Sequence, residues 1–274
     1  MIAKVLGPLR VTMNGESVAP TALKARKLFA LLILNHGRVV QRATIERELW
    51  DADAPASATT GIQNSVMQIR KAIAGCRNGP SSGRAPKDVL VTEATGYRLD
   101  VCGDQFDMTC HRRLVTDADR ATADGDFPLA SALLNSALRL WRDVPLADLP
   151  TGPVLRAHAH RLTEDRRAAF GRRVALDIRL GRTSEVVGEL RALATLHPHD
   201  ELLHQYLILA LHLSGRRGDS LAAYQDARTA IVYHTGLEPS PQLRDLQRCI
   251  LSGAERLTPE LELRLLGRPV PVSV

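Results

Sequence analysis

Four apolar residues, Ile62, Val66, Ile69 and Ile73, step along the chain by four, three and four positions. At about 100° per residue they fall on one narrow stripe of a helix. The opposite surface carries Thr60, Asn64, Met67 and Lys71, with Thr59, Gln63, Gln68 and Arg70 beside them. Such a helix must pack its stripe on a core and turn hydroxyls, amides and cations outward.

The neighbouring segments supply that core. Between Lys4 and Val18 the residues Val5, Leu6, Leu9, Val11 and Met13, punctuated by Gly7-Pro8 and Asn14-Gly15, read as short antiparallel strands with a tight hairpin at Asn-Gly. Leu23, Leu28, Leu31 and Leu32 predict a first helix that Gly37 terminates. Val39-Val40 reads as an extended link, and Ile45 with Leu49 as a second short helix ending near Trp50. An acidic loop ends in Pro55, which suits a helix start because the missing N–H there costs nothing. After a flexible stretch from Asn78 to Lys87, runs at 89–92 and 97–101 flank Ala94-Thr95-Gly96 as strand, turn, strand. Three helices followed by a hairpin predict an α+β winged helix-turn-helix over residues 1–105.

From about residue 106 the pattern is helical throughout, with predicted helices over 129–141, 154–180, 185–196, 201–213, 219–234 and 240–251. Leu180-Gly181-Arg182 returns as Ser214-Gly215-Arg216 after 34 residues, the tetratricopeptide period. Residues 106–252 are therefore expected to form an all-α tetratricopeptide-like repeat domain. The proline-containing stretch 253–274 reads as a flexible tail.

Charge separates the two parts. Residues 1–105 hold 14 Lys and Arg against 9 Asp and Glu, a balance of +5, whereas 106–274 hold 22 against 21, a balance of +1. A positive excess confined to the part with the amide-rich helix points to a polyanion. Amides can bond adenine edges and cations can bond guanine or phosphate, as major-groove reading requires. The helix face assigns base contacts to Thr60, Gln63, Asn64 and Met67, and phosphate contacts to Arg70 and Lys71. In the hairpin and its approach, Lys87, Thr95 and Gly96 are expected near the backbone, where Glu93 would be repelled.

Other classes find little support. There is no G-x-S-x-G, H-E-x-x-H or G-x-x-x-x-G-K-[ST] motif, so no enzyme is expected. His158 and His160 point to different helix faces, Cys76, Cys102, Cys110 and Cys249 lack paired spacing, and neither a metal nor another cofactor is expected. With no signal-peptide core and no apolar run of about 18 residues, no membrane association is expected and the location expected is the cytoplasm. An alternative reading is a helical-repeat interaction or signalling module in which DNA binding is secondary.

The stretches Leu6-Gly7-Pro8-Leu9-Arg10-Val11, Lys24-Ala25-Arg26-Lys27-Leu28, Glu48-Leu49-Trp50, Ile69-Arg70-Lys71 and Gly96-Tyr97 resemble the Streptomyces antibiotic regulatory protein (SARP) family. Ala137-Leu138-Arg139-Leu140-Trp141-Arg142, Leu146-Ala147-Asp148-Leu149 and the run from Gly236 to Leu243 resemble that family's bacterial transcriptional activator domain. The resemblance implies an OmpR-type winged helix that binds direct repeats in double-stranded DNA as a homodimer and activates secondary-metabolite (antibiotic) biosynthesis genes. It also implies recruitment of RNA polymerase with its sigma factor, and makes the loop with Asp51, Asp53 and Ser57 a candidate polymerase contact. The family has arginine where Thr59 and Gln68 stand, a small polar residue at Met67, and an arginine-proline wing at Glu93-Ala94-Thr95. Fewer phosphate contacts are the implied consequence.

Overall fold

The computed structural model describes residues 1–76 and 84–253. The tail expected over 253–274, apart from Gly253, and the first part of the stretch expected to be flexible lie outside the described residues. The chain divides into two compact units: Met1–Thr116 with Ser136–Arg167, and Asp117–Asn135 with Ala168 onward.

In the first unit, β1 (Ile2–Lys4), β2 (Arg10–Met13) and β3 (Glu16–Ser17) form an antiparallel sheet in that order. The Asn14-Gly15 turn sets its register, with Met13 opposite Glu16. Three helices follow, α1 (Leu23–Leu34), α2 (Arg42–Trp50) and α3 (Ala58–Ala74). Ile62, Val66, Ile69 and Ile73 are all buried, as their spacing requires, in a core shared with Leu28, Phe29, Leu32 and Ile45.

Three local expectations change. Val39–Gln41 is no mere link: it is strand β4, paired antiparallel with β6 (Gly96–Leu99), which lies between β4 and β5 (Leu90–Thr92). Val89 closes a short helix, α4 (Pro86–Val89), instead of opening a strand. The third helix starts at Ala58, because Pro55 first makes a turn in which the Ala58 N–H donates to its carbonyl at 2.9 Å.

This unit extends well past the hairpin. It takes in the start of α5 (Asp107–Ala123), a helix the periodicity reading passed over, and the start of α7 (Pro153–Arg179). Carboxylates fasten these parts to the winged helix through backbone N–H groups. Asp107 accepts from Val5 and Leu6 at 2.9 and 3.0 Å, with Arg142 at 3.7 Å. Burial pushes its carboxyl above the usual carboxylate range, against the pull of the Val5 and Leu6 N–H groups. Asp148 accepts from Leu9 at 2.7 Å and from the Arg26 guanidinium. Glu48, buried on α2, accepts from Gly152 and Leu155 at 2.6 and 2.8 Å and so caps the start of α7.

The second unit consists of helical hairpins: the end of α5 with most of α6 (Phe127–Leu138), the end of α7 with α8 (Thr183–Leu196), α9 (Glu201–Leu213) with α10 (Arg217–Thr235), and then α11 (Pro241–Leu251). The repeat seen in the sequence is one of backbone geometry. At Gly181 and Gly215 φ is +74°, and the N–H of the following arginine reaches back five residues, Arg182 to Asp177 and Arg216 to Leu211. Asp126 reaches back to Ala121 in the same way after Gly125, so a third hairpin shares the turn although it is off the 34-residue period. Val174, Leu190, Leu207, Ile208, Tyr224, Leu243 and Ile250 are among the residues of this unit's apolar core.

Candidate nucleic-acid interface

Helix α3 presents the predicted face as a continuous surface. Thr59, Thr60, Gln63, Asn64, Met67, Gln68 and Lys71 are all exposed, while Ile62, Ser65, Val66 and Ile69 between them are buried. Met67 is 61% exposed in the middle of this surface. A thioether left in water beside amides is an exposed apolar spot within a polar surface.

Two features hold the helix in place. Gly61 lets it pass close to α2, since a Cβ at that position would lie 2.9 Å from the Trp50 ring. Lys24 also sits over that ring, its Nζ 4.4 Å from the ring centroid. Packing on Trp50 therefore accounts for a glycine that helix propensity disfavours.

Arg70 is half-buried, and it departs from the outward role expected of it. Its Nε and Nη2 donate to the Leu90 carbonyl at 3.1 and 2.7 Å, and Nη2 also donates to the Thr92 hydroxyl at 2.9 Å. Two of its three nitrogens thus latch α3 to β5. Lys71, the next residue, remains exposed and is the cation the helix offers.

The wing divides similarly. Ala94 and Thr95 are exposed at the turn. Gly96 is buried as the first residue of β6, where a Cβ would come 1.9 Å from the Val40 carbonyl oxygen. Its place follows from β4 pairing, which a reading of Val39-Val40 as a link conceals, and this packing accounts for the glycine. Glu93 accepts from Arg98 Nε at 3.1 Å, which offsets the charge expected to repel phosphate. Arg84 and Arg98 hold the Asp100 carboxyl below the usual range, Arg84 chiefly through its hydrogen bond.

Lys87 is exposed on α4. The sequence reading missed Arg42: it is exposed, and its N–H donates to the Thr95 carbonyl at 3.0 Å, so its backbone adjoins the wing turn. Only the pairing of β4 with the hairpin reveals that neighbourhood. Asp51, Asp53 and Ser57 are exposed in the loop between α2 and α3, where Asp51 has a φ of +57°. Among the described residues no cluster of His, Cys, Asp or Glu has the makings of a metal site, and no helix is long and apolar enough to cross a membrane.

This architecture has known counterparts. The family model described as Transcriptional regulatory protein, C terminal matches residues 16–99, and the Bacterial transcriptional activator domain matches residues 106–251. Regulatory protein DnrI of Streptomyces peucetius is 39% identical over 264 residues, covering 95% of this chain and 97% of DnrI. Regulatory protein AfsR of Streptomyces griseus is 33% identical over 92% of this chain, which spans 25% of that longer protein. The solved structure of Mycobacterium tuberculosis EmbR in complex with a low affinity phosphopeptide aligns with a TM-score of 0.85 at 32% identity, over 97% of this chain and 68% of EmbR. An OmpR-type winged helix followed by a bacterial transcriptional activator domain, matched along nearly the whole length of DnrI, places the chain in the SARP family of transcriptional regulators.

Proposed function

We propose that the chain is a sequence-specific DNA-binding activator of secondary-metabolite biosynthesis genes, acting from the cytoplasm on direct repeats in double-stranded DNA. The observation that carries this reading is the exposed surface of α3, with Thr60, Gln63, Asn64, Met67 and Lys71 outward and the apolar stripe buried behind them. Thr59 and Gln68 border the surface without adding charge. Thr60, Gln63 and Asn64 address base edges, Met67 addresses thymine methyls, and Lys71, Lys87 and Arg42 address phosphates. Thr95 brings the wing turn to the backbone.

Direct repeats fit a homodimer whose protomers each present one α3. The loop with Asp51, Asp53 and Ser57 is assigned to RNA polymerase and its sigma factor, and the helical repeats offer further partner surface. The relatives named as regulatory proteins support this reading. No catalytic step belongs to it.

Footprinting of upstream DNA, compared with random DNA of equal length, tests the proposal. Asn64→Ala should weaken the specific complex by about 1–3 kcal/mol and leave random DNA unaffected. Equal loss on both would show that Asn64 does not read bases. Exchanging residues 51–57 should abolish transcription from the promoter yet spare the footprint, and loss of both together would sink the polymerase assignment.

A further inference from the structure

The first unit contains a cavity of about 300 Å³ that the DNA-binding reading does not use. The end of α1 and the starts of α5 and α7 form its walls. Leu34, Met108 and Leu162 supply apolar surface, and His36 and His158 stand half-buried beside them. Arg38, Arg112 and Arg161 form an exposed rim. Helical spacing explains the convergence: Met108 and Arg112 are four apart on α5, and His158, Arg161 and Leu162 span one turn of α7.

The charge balance is one-sided. No carboxylate lines the cavity, and among the described residues none of the three guanidiniums is ion-paired. Burial, reinforced by the Arg161 charge, pushes His158 below the usual imidazole range. Glu48 pulls the other way, but both of its oxygens already accept from the Gly152 and Leu155 N–H groups. His36 contributes Nδ1 to the Ile33 carbonyl at 3.0 Å and stacks edge-on against Phe106, which holds its ring in the wall.

We propose that this cavity is a binding site for a small organic anion, its phosphate or carboxylate held by Arg112, Arg161 and Arg38 and its apolar body laid on Leu34, Met108 and Leu162. Guanidiniums in a rim take planar or tetrahedral oxyanions through charge-assisted hydrogen bonds, and a cavity of this size matches the lower end of small-molecule sites. His158 adds one neutral donor or acceptor. The site stands independently of the DNA-binding reading.

The full chain is titrated with phenyl phosphate, benzoate and inorganic phosphate at an ionic strength matched with sodium chloride, following Tm and binding heat. Phenyl phosphate or benzoate should give a saturable rise in Tm beyond that of chloride, and the stronger of the two identifies the headgroup. The R112Q/R161Q variant should bind that probe about tenfold more weakly or worse with its unliganded Tm unchanged. A response no greater than that to chloride, or an isotherm unchanged in R112Q/R161Q, would overturn the site. An inorganic phosphate response equal to that of phenyl phosphate would overturn the apolar half of it. Weaker binding of the variant to random DNA without any anion would reassign the two arginines to the DNA backbone.

Discussion

Helix α3 and the β5–β6 wing sit in one unit and both carry residues expected near DNA, yet they are built for different tasks. The helix keeps its hydrogen-bonding side chains free: Gln63, Asn64, Gln68 and Lys71 are exposed. The wing spends its polar and special residues inside the fold, with Gly96 under β4, Glu93 on Arg98, and the Leu90 carbonyl and Thr92 hydroxyl on Arg70. Under the proposed function base reading is thereby concentrated on the helix, while the wing braces it and offers one exposed turn at Thr95. In a winged helix whose wing turn, Glu93-Ala94-Thr95, lacks arginine, specificity and electrostatic attraction can be altered separately.

The sharpest way to break this contrast is Gly96→Ala. With only 1.9 Å between the new Cβ and the Val40 oxygen, β4 must leave β6, and a loss of about 3 kcal/mol in thermal unfolding is expected. An unchanged Tm would mean that the sheet tolerates what its geometry forbids. Next comes Arg70→Gln, which strips the Leu90 carbonyl of its guanidinium donors and should cost about 1–3 kcal/mol, with faster amide exchange across the hairpin. Its salt dependence of DNA binding should stay as in the parent, because a latch, unlike a phosphate contact, releases no counterions. The smallest effect is expected of Thr95→Lys at the exposed turn. It should steepen the salt dependence by about one phosphate contact and raise affinity for specific and random DNA alike. A gain on the specific site alone would give the wing a share in reading.

These differences mark where sequence pattern carries information and where it stops. The stripe Ile62, Val66, Ile69 and Ile73 and the Asn14-Gly15 hairpin are local, so period and turn chemistry expose them directly. The amide-rich surface follows from the same period. Strand β4 is three residues long and is a strand only because Val40 meets Tyr97, so no local rule finds it. Arg70 looked outward by angle, but its partner is the Leu90 carbonyl, 20 residues later, and a helical wheel is blind to a long side chain folding back. Helix α5 was passed over because its buried positions include Asp107, His111, Ala118 and Ala121, a face poor in large apolar residues. The repeat turns at Gly181 and Gly215 were legible since identical geometry requires similar residues.

The carboxylates that tie the first unit together bear on how such proteins can be cut and recombined. Val5 and Leu6 depend on Asp107, 102 and 101 residues further on, and Glu48 caps a helix start 104 residues away at Gly152. The family models part between residues 99 and 106, but the body that holds α3 runs on to Thr116 and takes in Ser136–Arg167 as well. A chimera joined at residue 105 leaves the Val5, Leu6 and Leu9 amides without their acceptors and strips the cover from Glu48. Grafting this winged helix onto another effector therefore means carrying residues 106–167 with it.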